Sequence, residues 1–69
     1  MKKINIILNG ENYQIDENIN ILQLICSLEL DPKKIAIEKD FEIITNIDYD
    51  KIILNENCKI EIVHFIGGG

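Results

Sequence analysis

The sequence has no tryptophan, no arginine, one proline, one histidine and only two cysteines in 69 residues. Each scarcity removes a class of chemistry. Cys26 and Cys58 lie far apart, form no C-x-x-C pair and have only His64 for company, so neither a redox motif nor a zinc site has its ligands. Free, partly buried thiols are the expectation, and no metal site is expected. The basic residues are seven scattered lysines, and a net charge of -5 would repel phosphate backbones, which argues against nucleic acid as a partner. An acidic surface suits a solvated exterior or a basic docking face. No apolar run is long enough to span a membrane. There is no phosphate loop, no metal cluster and no nucleophile with a companion base, so the chain is not expected to be an enzyme. Met1-Lys2-Lys3 followed by isoleucines superficially resembles a secretion signal, but Asn5 and Asn9 interrupt the apolar run and no small-residue cleavage site follows. A cytoplasmic protein with an ordered first strand is expected.

What is present reads as one small α+β domain. Hydrophobic residues make up 46% and charged residues 28%, which suits a compact soluble fold near the lower size limit for a single core. Such a chain has little room for an enclosed cleft. Ile4, Ile6 and Leu8 alternate with Lys3, Asn5 and Ile7, the period of a half-buried strand. Asn9-Gly10 favours a type I′ turn, which would pair Leu8 with Glu11, Ile6 with Tyr13 and Ile4 with Ile15. A helix follows: Asn20 can cap it, Gln23 completes a capping box, and Ile19 and Leu24 can form the hydrophobic staple. Ile21, Leu24, Ile25 and Leu28 make one apolar stripe to cover the sheet, and Pro32 is expected to end the helical region.

Ile35 to Ile37 read as a short strand, Lys39-Asp40 as a turn, Phe41 to Ile44 as a second strand and Thr45 to Asp50 as polar connection. Ile52 to Leu54 could be strand or helical turn. Lys59 to Ile66 is the last strand, giving the order β-β-α-β-β-β, with one helix on one face of a mixed sheet.

Three glycines follow that strand. With no side chains to pack, Gly67-Gly68-Gly69 should leave the fold as a narrow, flexible thread able to enter a channel that side chains would block. A frayed terminus or an expression scar is the bland alternative. The domain is therefore expected over residues 1–66 and the tail over 67–69. If Ile60 and Ile62 face the core, alternation puts Val63 and Phe65 on the opposite face beside the tail, as a candidate partner-docking patch. His64 between them lacks a second catalytic group and reads as a rim residue.

The string Lys59-Ile-Glu-Ile-Val-His-Phe-Ile-Gly-Gly-Gly69 resembles the terminus of the thiamine-biosynthesis sulfur carriers, a family of ubiquitin-like β-grasp proteins. The Asn-Gly hairpin, the helix with Leu24 and Ile25, the Ile35-Ala-Ile-Glu38 strand and the overall length agree with it. The resemblance implies that the first and last strands lie parallel at the centre of the sheet. It also implies that an adenylyltransferase, using ATP and magnesium, activates the carboxylate of Gly69 as an acyl-adenylate. Sulfur from a donor protein's persulfide then gives a thiocarboxylate that supplies thiazole synthase. The carrier would bind no cofactor and have no catalytic residue of its own. Where family members often carry an acidic residue after a turn former, this chain has Asn57-Cys58; the turn should survive, since asparagine tolerates its geometry. Cys58 lacks a cation to lower its pKa, and both it and Cys26, on the helix flank, read as inert. Three alternatives stand beside this reading: a molybdopterin synthase small subunit, another ubiquitin-like sulfur carrier or modifier, and a β-grasp binding module without tail chemistry.

Overall fold

The computed structural model describes residues 2–65. Five strands and one helix make up its regular structure: β1 (Lys3–Leu8), β2 (Glu11–Asp16), α1 (Ile21–Ser27), β3 (Ile35–Lys39), β4 (Glu42–Ile44) and β5 (Lys59–His64), with 3-10 turns at Pro32–Lys34 and Asn46–Asp48. The strand order in the single sheet is β2-β1-β5-β3-β4, with β1 and β5 parallel and the other neighbours antiparallel. This is the β-grasp arrangement, with the last strand at the centre.

The first hairpin has the expected register, Leu8 to Glu11, Ile6 to Tyr13 and Ile4 to Ile15. Its turn needs positive φ at both central residues, and Asn9 (49°) and Gly10 (83°) supply it. The helix begins with both halves of the capping box: the Asn20 side chain accepts from the Gln23 N–H at 2.7 Å, and the Gln23 side chain accepts from the Asn20 N–H at 2.8 Å. Ile21, Leu24 and Ile25 are fully buried, with Ile19 and Leu28 packed against the same cluster. On the sheet side the cluster contains Ile4, Ile6, Ile15, Ile35, Ile37 and Ile60. These β-branched side chains fit the pleated face on which the helix lies.

Three expectations shift. The helix stops at Ser27, several residues before Pro32, because Leu30 N–H bonds to Ile25 O and Glu29 N–H to Cys26 O while Glu29 takes φ 60°. That is the Schellman stop with glutamate in the place usually held by glycine. Pro32 instead opens the 3-10 turn capped by the Asp31 carboxylate. The β3–β4 turn is Asp40-Phe41, both with positive φ (50° and 71°), one residue later than the sequence suggests. Asp40 is held there by β5: its N–H donates to Lys59 O at 2.8 Å and its carboxylate accepts from Lys59 N–H at 2.9 Å. Tyr49, in the stretch read as polar connection, is buried. Its carbonyl accepts from Leu22 N–H, which ties the connection under the helix.

Ile52 to Leu54 form a single bridge at Ile53 to Asn20, with Leu54 buried. Among the described residues no helix is long and apolar enough to cross a membrane.

Candidate functional site

The tail residues Gly67, Gly68 and Gly69, and Ile66 before them, lie outside the described residues, as does the expected boundary between domain and tail. What the structure places is the strand that leads to them. Strict alternation along β5 turns Ile60 into the core and Ile62 toward it, while Lys59, Glu61, Val63 and Phe65 face away from the helix. Val63 is 59% exposed and Phe65 62% exposed, as the alternation required. β5 ends at His64, and Phe65 directly after it is tied to the 3-10 turn before β3, its N–H donating to Lys34 O at 2.9 Å.

Neighbouring strands widen this patch. Ala36 pairs with Val63 across β3 and β5. Ile43 on β4, 67% exposed, joins Ala36 and Val63 in lining one shallow hollow. Beside it, Ile7, Gly10, Phe41 and Lys59 line an open groove of about 290 Å3. Phe41 is the most exposed large apolar residue there, at 79%, and the Lys59 ammonium sits 5.0 Å from its ring centre. Glu38 and Glu61 face one another in the middle of the apolar area. Sequence reading found Val63 and Phe65 but missed Ile43, Phe41 and Ala36. The alternation of Phe41 and Ile43 was the available signal, but only strand adjacency puts them beside β5.

The titrating groups near this strand do not form a catalytic set. His64 is exposed opposite Ile35. Asp40 is held below its ordinary value chiefly by the Lys59 backbone N–H, then by the Lys39 side chain. Cys58 is buried, and that burial pushes its thiol up despite the Lys39 charge nearby, so it is a poor nucleophile. Cys26 is exposed, where a partly buried thiol was expected. Asn57 takes φ 66°, so the turn before β5 keeps its geometry with asparagine in it. A second groove, about 270 Å3, lies between β2 and α1 at the far edge of the sheet and holds the Lys3–Asp16 ion pair at 2.7 Å. It is two strands away from β5. Among the described residues no group of three or more His, Cys, Asp or Glu is placed to hold a metal ion.

Among the described residues the last strand thus carries an exposed apolar face with no reactive cluster beside it. The comparisons with known proteins bear on its role. The ThiS family profile matches residues 6–69. The sulfur carrier protein ThiS of Bacillus subtilis is 36% identical over 63 residues, covering 90% of this chain and 96% of that protein. A thiazole synthase of Paramagnetospirillum magneticum is 34% identical over 64 residues, and a similar match exists in Magnetococcus marinus. The chain covers 93% of its own length in the first of these but spans only about a fifth of either synthase (20% and 19%). The crystal structure of a thiamine biosynthesis protein (ThiS) from Geobacter metallireducens superposes with a TM-score of 0.83, covering 96% of this chain and all of that one at 23% identity, which establishes the shared fold.

Proposed function

The chain belongs to the ThiS family, and from that premise we propose how it works as a sulfur carrier of thiamine biosynthesis: its reacting group is the carboxylate of Gly69. The observation that carries this reading is the family match, which runs through the glycine string to residue 69. A carboxylate is a poor electrophile, because its charge is delocalised and oxide is a bad leaving group. The Gly69 carboxylate therefore attacks the α-phosphorus of ATP on an adenylyltransferase, with magnesium on the partner's side, and pyrophosphate leaves. The resulting acyl-adenylate loses AMP to the terminal sulfur of a persulfide. A thiol then cleaves the sulfur–sulfur bond and releases the Gly69 thiocarboxylate, a soft nucleophile that stays ionised near neutral pH.

The recipient we propose is thiazole synthase, supported by synthases that contain a segment similar to this chain. Gly67 and Gly68 let the terminus thread into each partner's active site, and Val63 and Phe65, with Ile43 beside Val63, form the docking face, which Phe41 extends toward the Lys59 end of β5. The protein is a carrier, and catalysis belongs to its partners. Incubation with the adenylyltransferase of the same organism, ATP and a sulfur donor, followed by intact-mass spectrometry, should show one oxygen exchanged for sulfur. An unchanged mass, under conditions that modify another ThiS protein, would overturn the reading. A residue appended after Gly69 should abolish the exchange and leave the fold intact.

A further inference from the structure

β1 and β5 run side by side, but β5 outruns its neighbour. Along β1 the contacts are regular: Asn57 N–H donates to Asn5 O at 2.6 Å, Ile7 N–H to Cys58 O at 2.9 Å and Asn9 N–H to Ile60 O at 2.8 Å. Asn5 N–H is taken by the Glu56 carboxylate at 2.8 Å. At Asn9 the chain turns back into β2, and the parallel ladder ends with Leu8 opposite Ile60. β5 continues. On its β3 side it stays paired as far as His64, but on its β1 side the next inward-facing amide, that of Ile62, has no strand residue opposite it. The Asn9 side chain fills that place, its Oδ1 accepting from Ile62 N–H at 2.8 Å.

We propose that Asn9 is a positioning residue for the tail, standing in for the missing continuation of β1 and holding the overhanging part of β5 in the plane of the sheet. The proposal rests on the reading that Gly69 is the reacting group. Two residues separate Ile62 from the docking side chain Phe65 and four separate it from the start of the glycine string, so a strand that swings free at Ile62 would carry both with it. The residue at this point has two separable jobs. It must tolerate positive φ as the first residue of a type I′ turn, which glycine, aspartate and asparagine all do. It must also offer an acceptor on a short side chain, which aspartate and asparagine do and glycine does not.

Asn9→Gly therefore keeps the turn and deletes the bond, while Asn9→Asp keeps both. In Asn9→Gly, hydrogen exchange at the Ile62 amide, measured by NMR on the full chain, should speed up about fivefold, the weight of one net hydrogen bond, with Ile60 unchanged. Steady-state adenylation by the adenylyltransferase of the same organism should show KM for the carrier raised about twofold or more at unchanged kcat. The competent strand position is then only part-populated before docking and is restored once bound. Asn9→Asp should match the wild type in both measurements. Unchanged Ile62 exchange, an unchanged KM, or an Asn9→Asp protein that behaves like Asn9→Gly would each overturn the proposal. If the wild-type chain is not adenylated at all, the functional reading fails instead, and the exchange comparison still decides whether Asn9 holds β5.

Discussion

Replacing Phe65 by alanine tests the docking face with the least risk to the fold. The residue is 62% exposed, and the hydrogen bond that holds it runs from its backbone N–H to Lys34 O in the 3-10 turn before β3, which alanine retains. An aromatic side chain buries roughly 200 Å2 when fully covered, so about 120 Å2 of Phe65 is available to a partner. Alanine would keep about a third of that contact. The lost area, about 80 Å2 at ~25 cal/mol per Å2, corresponds to about 2 kcal/mol, or roughly a thirtyfold rise in Kd. Calorimetric titration of the adenylyltransferase with wild-type and Phe65→Ala carrier measures this directly. Unfolding in denaturant should give the same stability for both within ~0.5 kcal/mol, as expected for an exposed site. A change in Kd below about twofold, with the fold intact, would remove Phe65 from the interface and show that the exposed face is not what partners bind.

Three further outcomes follow from the packing and charges. Glu61→Gln should stabilise the domain by ~0.2–1 kcal/mol, because it relieves the like-charge pair with Glu38 across β3 and β5; the gain should shrink in about 1 M salt, and a salt-independent gain would mean that charge is not its cause. The Asp40 carboxyl is held below its ordinary value in the folded state, so its contribution is present above the unfolded pKa and is lost as pH falls through the folded one. Asp40→Asn should therefore be less stable than wild type at neutral pH, with the difference closing as pH drops below about 4, as followed by denaturant melts across the range. Iodoacetamide near pH 8 should label Cys26 and spare buried Cys58 until denaturant is added, by peptide mass mapping; early labelling of Cys58 would contradict its burial.

Local features were legible before any coordinates. Asn9-Gly10 and the flanking alternation are enough to set the hairpin register, since turn and pleat act on neighbouring residues. Asn20 and Gln23 satisfy each other's backbone within one turn, so the helix start is equally local. The helix end was not legible, because Glu29 adopts the left-handed conformation that glycine would have signalled. The Asp40-Phe41 turn falls one residue later than the sequence suggests, because its position depends on two bonds to Lys59, nineteen residues away from Asp40. Tyr49 looked like part of a polar loop, and only the meeting of that loop with Leu22 shows why it is buried.

The candidate site divides in the same way. Val63 and Phe65 could be placed opposite Ile60 from periodicity alone, and the glycine string with the strand before it carried the family resemblance, because these are properties of consecutive residues. Whether Ile43, Phe41 and Ala36 extend that face, whether Glu38 opposes Glu61, and whether Asn9 reaches Ile62 are questions of which strands become neighbours and where one outruns the next. Hydrogen bonds and contacts between residues up to fifty-three positions apart decide them, and no periodicity within a single strand encodes such distances. The sequence by itself determined most of the elements and their inward faces and carried the family resemblance; tertiary structure decided what surrounds β5 and what holds it on course.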